Sequence, residues 1–166
     1  MNVIKSRLAE KQPLIQVVVG PRQVGKTTAL KSALSEEDRY YTADYPTPLD
    51  ASVILEWWKS ASESQSKILA IDEVQKISGW SSVIKKLWDE KPSVKVVLTG
   101  SSALLMEKGL AETLAGRFEL IQAGHWSFHE AKDIFSLGLR EYIEFGCYPG
   151  AVRFLDDIER WGNYIR

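Results

Sequence analysis

A glycine-bounded loop between an apolar run and a helical pattern constrains the fold of this chain more than any other stretch. Residues 17–19 are three valines, and Gly20-Pro21-Arg22-Gln23-Val24-Gly25-Lys26-Thr27 follows with the spacing G-x-x-x-x-G-K-T. Glycine at the two fixed positions permits backbone conformations that a side chain resists, so successive N–H groups can turn around phosphate oxygens. Apolar residues at helical spacing come next. A strand, a loop and a helix in this order predict a phosphate-binding loop.

Two side chains of this loop have roles that their positions predict. Lys26 would bring its ammonium group to the β- and γ-phosphate oxygens, and Thr27, in the first helical turn, would offer its hydroxyl to a magnesium ion. The helix N-terminus adds partial positive charge beneath the phosphates. The alternative is an ordinary strand, turn and helix with an accidental Gly-Lys-Thr. The loop residues predicted to contact the nucleotide are Gly20, Pro21, Arg22, Gln23, Val24, Gly25, Lys26, Thr27 and Thr28.

A second informative stretch is a short apolar run that ends in two carboxylates. Residues 68–71 are apolar and lead into Asp72 and Glu73, a pattern typical of a buried parallel strand whose carboxyl end opens into a crevice. Asp72 would hold the magnesium ion, directly or through water, and Glu73 could polarise the attacking water. The alternative, a strand that ends in acidic residues at a turn, loses weight because the phosphate loop precedes it by about 45 residues.

Two later strands contribute further candidates. The apolar run 94–98 is followed by Thr99 and Ser101, whose hydroxyls could sense the γ-phosphate or position water; a helix cap is an equally good interpretation of either. Arg117 stands at the start of the last predicted strand. There it could meet a nucleotide in the same chain or in a neighbour and stabilise developing phosphate charge, or it could form a surface salt bridge.

Composition gives no support to several function classes. The 166 residues carry 21 basic and 22 acidic side chains, a net charge of −1, so nothing in the charge supports nucleic-acid binding. No apolar run approaches the roughly 20 residues of a membrane-spanning helix, and the charged start lacks a signal-peptide core. Cys147 is the one cysteine, which allows no internal disulfide. We therefore expect a cytoplasmic protein.

The spacing of the patterns predicts an α/β fold. Five apolar strands separated by helical segments are typical of a five-stranded parallel sheet covered by helices on both faces, a P-loop NTPase core. The S-x-x-E capping box at Ser127 and Glu130 begins a set of short helices that we expect to form a small lid. We therefore predict a core over residues 1–124 and a lid over 125–166, truncated because its last helix stops mid-pattern. The predicted strands are 15–19, 40–43, 67–71, 94–98 and 118–121. Helices are predicted over 49–61, 103–115 and 151–155, among others.

Five motifs in order give the chain a family resemblance over nearly its whole length. They are Gly20-Pro21-Arg22-Gln23-Val24-Gly25-Lys26-Thr27-Thr28, Ile71-Asp72-Glu73-Val74-Gln75 followed by Gly79-Trp80, Leu98-Thr99-Gly100-Ser101-Ser102, Leu114-Ala115-Gly116-Arg117, and Tyr148-Pro149-Gly150. The chain resembles the AAA-type archaeal and bacterial ATPases whose core precedes a domain of unknown function, relatives of the STAND branch of AAA+ proteins. Members of that family continue well beyond the lid, and this chain does not.

The resemblance implies roles for the matched residues. Gly25, Lys26 and Thr27 would belong to the Walker A motif, Asp72 and Glu73 to Walker B, and Thr99 or Ser101 to the sensor-1 region. Arg117 would occupy a place where many AAA+ proteins keep an arginine finger. Pro149 would lie in the lid turn near the nucleotide. The implied cofactors are ATP or ADP with Mg²⁺.

The sequence leaves two functions in competition. The first is Mg-dependent ATP binding and hydrolysis that drives a conformational change, with Lys26, Glu73, Ser101 and Arg117 as catalytic residues. The second is a nucleotide-dependent switch with negligible turnover that signals through a missing C-terminal region. A kinase is disfavoured, because no acceptor-binding constellation follows the second carboxylate motif. Partners under the first two hypotheses are ATP, the missing C-terminal domain and a possible second copy of the chain.

Overall fold

The computed structural model describes residues 2–11, 14–90, 93–101, 110 and 113–165. Within them the helices are α1 (Asn2–Leu8), α2 (Lys26–Ala33), α3 (Ser52–Glu63), α4 (Trp80–Glu90), α5 (Phe128–Phe135), α6 (Leu139–Phe145) and α7 (Ile158–Tyr164). The strands are β1 (Ile15–Gly20), β2 (Arg39–Thr42), β3 (Leu49–Asp50), β4 (Ile68–Asp72), β5 (Ile77–Ser78), β6 (Lys95–Ser101) and β7 (Phe118–Gln122). Two 3-10 helices span Val74–Lys76 and Pro149–Phe154. A helix predicted over 103–115 lies mostly outside the described residues.

Five strands form the main sheet in the order β2-β4-β6-β1-β7, and every neighbouring pair is parallel. The predicted α/β fold with a five-stranded parallel sheet is confirmed. Strands β1, β4 and β6 are buried along almost their whole length, because helices flank the sheet and leave no solvated face. This explains why their sequences are continuous apolar runs rather than alternating ones.

The chain divides into two compact units. The first comprises Met1–Gly20 and Lys26–Gln122, and contains the main sheet with α1 to α4; the second comprises Pro21–Gly25 and Ala123–Arg166. In the second unit the predicted capping box is present: Ser127 Oγ accepts from the Glu130 N–H, and Glu130 Oε2 accepts from the Ser127 N–H at 2.8 Å. The segment after Pro149, predicted as a helix from Ala151, is a 3-10 helix instead.

A two-stranded parallel sheet beside the main one was not predicted. Leu49 pairs with Ile77 and Asp50 with Ser78, so the helix expected from Leu49 begins three residues later. At its N-terminal end the Asp50 side chain accepts from the Ser52 N–H at 2.8 Å, a bond that holds the pKa of Asp50 below its ordinary value. Among the described residues, none of the helices is long and apolar enough to span a membrane.

Candidate active site

The carboxyl ends of three adjacent strands bring the predicted site residues together in the first unit. Strand β6 lies between β1 and β4, with Val18 opposite Thr99 and Ile71 opposite Leu98. Asp72 therefore ends β4 next to Thr99. Parallel strands present their carboxyl ends on one side of the sheet, and ligands of open α/β sheets bind outside those ends. Gly20 at the end of β1 and Asp72 at the end of β4 therefore lie on the same side.

Asp72 is the centre of a cluster of hydroxyl groups. Thr27 Oγ1 donates to Asp72 Oδ2 at 2.7 Å, the Tyr40 hydroxyl donates to the same oxygen at 3.1 Å, and Thr99 Oγ1 donates to Asp72 Oδ1. Asp72 is 4% exposed and Thr99 is fully buried. A carboxylate so poorly hydrated needs such donors, because hydrogen bonds to the charged form replace the water it has lost. The cluster thus fixes the position of the Asp72 carboxylate at the carboxyl end of β4.

The donors of this cluster suit Mg²⁺. Magnesium prefers hard oxygen ligands in octahedral geometry, and it is usually bound through one or two carboxylates together with substrate phosphates. The Thr27 hydroxyl and the Asp72 carboxylate lie 2.7 Å apart, close to the about 2.9 Å that separates neighbouring ligands of an octahedral magnesium ion. In the described residues no group of three or more His, Cys, Asp or Glu side chains could hold a metal by itself. The oxygens of a bound phosphate would have to complete the shell.

Lys26 begins α2 and is almost fully buried, at 6% exposure. Its ammonium group donates at 2.9 Å to the carbonyl of Gly20, six positions earlier in the chain. An ammonium ion has three donors, and this bond fixes the direction of one of them. The contact holds the charge of Lys26 at the carboxyl end of β1.

The residues Pro21–Gly25 are held within the second unit by two aromatic side chains. Trp126 Nε1 donates to the Val24 carbonyl at 2.9 Å, and the Tyr164 hydroxyl donates to Gln23 Oε1 at 2.9 Å. Gln23 and Gly25 both have positive φ angles, of 64° and 94°. Glycine adopts such a conformation at no steric cost, whereas glutamine does so only when neighbours hold it. The two bonds supply that support for Gln23.

Glu73 follows Asp72 in a left-handed backbone conformation, with φ at 55°. Its N–H donates to Thr99 Oγ1 at 3.2 Å. Its carboxylate accepts from Gln75 Nε2, and the same amide nitrogen donates to Ser101 Oγ at 3.3 Å. One hydrogen-bonded network therefore joins Glu73, Thr99 and Ser101. The sequence predicted each of these three residues separately.

Comparison with known proteins agrees with this geometry. A family model described as an AAA domain matches residues 12–132, more than two thirds of the chain. The chain belongs to the AAA domain family. This is a family of nucleotide-binding P-loop ATPases, which accounts for the phosphate loop and for the carboxylates at the end of β4.

Two relatives of this AAA domain are described as uncharacterized proteins. One, from Haemophilus influenzae, is 29% identical over 161 residues, covering 83% of this chain and 40% of the relative. Another, from Methanocaldococcus jannaschii, is 26% identical, covering 86% of this chain and 37% of the relative. The chain thus spans about two fifths of the length of these curated relatives. A threonine-to-valine variant of Thermotoga maritima RuvB has a similar fold, with a TM-score of 0.59 at 15% identity over 99% of this chain and 59% of that one.

Arg117 of the AAA domain lies at the amino ends of the parallel strands, whereas Lys26 lies at their carboxyl ends. Its guanidinium forms a two-pronged ion pair with Asp89, at 2.7 and 3.0 Å, and its carbonyl accepts from the N–H of Ile15 at the start of β1. The ion pair holds the pKa of Asp89 below its ordinary value. Ile15 and Gly20 are five residue steps apart along β1, about 16 Å at a rise of roughly 3.3 Å per step. A role for Arg117 towards the nucleotide of a neighbouring chain stays a prediction.

Tyr40 is a partner of Asp72 that was not predicted from sequence. The register of β2 on β4 places Thr42 opposite Asp72, and Tyr40, two residues earlier, projects from the same face of the sheet. Burial and the negative charge of Asp72 raise the pKa of Tyr40 to about 12. The Lys31 ammonium lies 4.8 Å from the centre of the ring. In sequence Tyr40 is simply an aromatic residue of a strand, so only the strand pairing identifies it as a partner of Asp72.

Gln75, Trp126 and Tyr164 were also not predicted as site residues. Gln75 stands two positions after Glu73, where a polar side chain is expected at any turn, and its proximity to the carboxylate is the one local indication of a role. Trp126 and Tyr164 contact loop residues that precede them by 102 and 141 positions. No local pattern could connect them. Pro149, predicted near the nucleotide, is the first residue of the 3-10 helix in the second unit.

Proposed function

We propose that this AAA domain binds Mg-ATP at residues 20–28 and hydrolyses it to ADP and phosphate. One observation carries the proposal: Thr27 and Asp72, 45 residues apart, are joined by a hydrogen bond of 2.7 Å at the sheet edge where Lys26 also lies. The hydroxyl and the carboxylate provide ligands for Mg²⁺, and the buried lysine beside them provides positive charge for the phosphates of a nucleoside triphosphate.

The groups of the chain have separate tasks in this reaction. Lys26 would neutralise charge on the β- and γ-phosphates. Thr27 and Asp72 would hold Mg²⁺, which supplies further charge neutralisation at the phosphates when it is bound. Glu73 would accept a proton from the attacking water as the bond between water oxygen and γ-phosphorus forms and the bridging bond to the β-phosphate breaks. Ser101 would donate its hydroxyl proton to a γ-phosphate oxygen.

A nucleotide switch with negligible turnover is the second candidate. The placement of Arg117 favours it, since the guanidinium is paired with Asp89 and lies far from Lys26 within one chain. An arginine that reaches the γ-phosphate raises the rate of such reactions by about 10³ to 10⁵. A single chain that hydrolyses without that contribution would do so slowly, and a homo-oligomer in which one chain supplies Arg117 to the next would be faster.

We further propose the organisation in which this chemistry acts. Residues 1–124 form the ATPase core and residues 125–166 a lid, with Pro149 at the lid turn near the nucleotide. Hydrolysis drives a conformational change that a C-terminal domain receives, and the protein works in the cytoplasm. The greater length of the curated relatives is compatible with such a domain.

Calorimetric titration with ATP and ADP, with and without Mg²⁺, followed by measurement of phosphate release, tests the proposed function. We expect binding that is tighter with Mg²⁺, and it should be lost in Lys26→Ala because the buried ammonium is removed. Lys86→Ala is the matched control, since Lys86 is an exposed lysine of α4. Equal affinity for ATP in wild type and Lys26→Ala would show that the nucleotide does not bind at this loop.

A further inference from the structure

The side-chain amide of Gln75 lies between two residues of the proposed active site. Its nitrogen donates both to Glu73 Oε2 and to Ser101 Oγ, the second bond at 3.3 Å. A carboxylate can only accept hydrogen bonds, so the nitrogen and not the oxygen of the amide must face Glu73. This fixes the orientation of the amide. Gln75 thus connects the residue after β4 with the last residue of β6.

Folding stability does not explain the presence of an amide here. The Gln75 carbonyl oxygen is buried and has no hydrogen-bond partner in the described part of the chain. An unpaired buried acceptor is destabilising, and an apolar side chain of similar length, such as methionine, would fill the same space without that loss. The reason for an amide at this position must therefore lie in the two hydrogen bonds that its nitrogen donates.

The two bonds from the nitrogen arrange both of its partners for reaction. Thr99 holds the backbone of Glu73, and Gln75 holds its Oε2. These two contacts fix the orientation of the carboxylate, in which Oε1 is the oxygen that would accept a proton from water. Ser101 Oγ accepts from Gln75, which leaves the hydroxyl proton of Ser101 to donate elsewhere. One amide therefore orients an acceptor and a donor at the same time.

We propose that Gln75 is a positioning residue that couples Ser101 to Glu73 in the hydrolysis reaction. This inference rests on the proposed function, because it assigns Gln75 a role in that same site. Gln75 touches neither nucleotide nor water in this role; it acts by fixing the directions of the two groups that do. Misplacement of a reacting group by about 1 Å can lower a rate by about 100-fold, so a loss of this size is the upper limit of what Gln75 can supply.

Steady-state hydrolysis and ADP affinity, measured on the full chain, test the inference. We expect Gln75→Met to lower kcat by roughly 10- to 100-fold, while KM and the Kd for ADP change less than about twofold, since no phosphate-binding group is altered. Gln65→Met is the matched control, because Gln65 lies exposed in the connector before β4. Gln75→Asn retains the amide but shortens its reach. It should lower kcat alone as well, and it serves as the test variant if the methionine variant does not fold.

Coupling to Ser101 gives a readout that a purely structural role would not produce. In a double-mutant cycle with Ser101→Ala, we expect the combined loss in kcat to be smaller than the product of the two separate losses. Unchanged kcat, faster turnover, a parallel loss of ADP affinity, or fully multiplicative effects would each overturn the role of Gln75. If wild type and Gln65→Met hydrolyse ATP in those cases, the proposed function still stands. If wild type binds nucleotide but releases no phosphate, hydrolysis itself fails, and the role of Gln75 with it.

Discussion

Replacement of Thr99 by valine would remove the hydroxyl that ties Asp72 and Glu73 to β6. Thr99 is fully buried, donates to Asp72 Oδ1 and accepts the N–H of Glu73 at 3.2 Å. Valine is β-branched like threonine, so the change deletes the polar contacts of the hydroxyl with little change in side-chain shape.

The loss of unfolding free energy in Thr99→Val can be estimated from these two contacts. A hydrogen bond to a charged group contributes about 1.5–3 kcal/mol, and an N–H left unpaired costs about 1–3 kcal/mol. Asp72 keeps Thr27 and Tyr40 as donors. We therefore expect the summed loss from the two contacts to lie near the lower end of these ranges, at about 3 kcal/mol of unfolding free energy. For a chain of this length that corresponds to a fall in Tm of about 6–12 °C.

Urea unfolding followed by circular dichroism measures the loss, and the midpoint should shift without a change in the slope m. Thr42→Val is the matched control: its hydroxyl accepts one N–H, from Asp44 at 3.1 Å, in an exposed setting, and we expect a loss below about 1 kcal/mol. If Thr99→Val costs no more than Thr42→Val, the hydroxyl does not hold Asp72 and Glu73 in place, and the reasoning about this network is refuted.

Two further changes test other contacts of the sheet edges. Arg117→Gln should lower the free energy of unfolding at pH 7. Arg117 holds the pKa of Asp89 below 3.8, and their ion pair stabilises the fold only while that carboxyl is ionised, so the difference from wild type should shrink as the pH falls below 3.8. A difference in unfolding free energy that does not depend on pH would contradict the ion pair. Tyr40→Phe should raise the Mg²⁺ concentration needed for half-maximal nucleotide binding by about tenfold, as loss of groups that orient metal ligands does elsewhere, and an unchanged Mg²⁺ titration would show that Tyr40 does not orient Asp72.

The main sheet could be predicted from sequence because its strands are buried on both faces. Such strands are continuous apolar runs, and the polar residues at their ends, Asp72 and Thr99 among them, mark the edge where the chain leaves the core. The order of the motifs then placed the carboxylates near the phosphate loop without knowledge of strand pairing. Local patterns were sufficient for this part of the site.

Contacts that depend on pairing between distant strands could not be predicted in the same way. The start of α3 was misplaced because Leu49 pairs with Ile77, 28 positions later, in a sheet of only two residues per strand. Tyr40 meets Asp72 only through the register of β2 on β4. Arg117 immediately precedes β7 at the amino end of that strand, whereas Gly20 lies at the carboxyl end of β1. This difference becomes clear only once the strands are known to be parallel.

Phosphate release by Glu73→Gln, compared with wild type at saturating Mg-ATP, tests the central claim most directly. Glutamine preserves the size of the side chain but cannot accept a proton as a carboxylate does. We predict that turnover falls by at least about 100-fold, the lower range of general-base contributions, while ATP affinity measured by calorimetry stays within about twofold. Equal phosphate release by the two proteins would remove Glu73 from the mechanism and contradict the proposal that this site hydrolyses ATP by the route described.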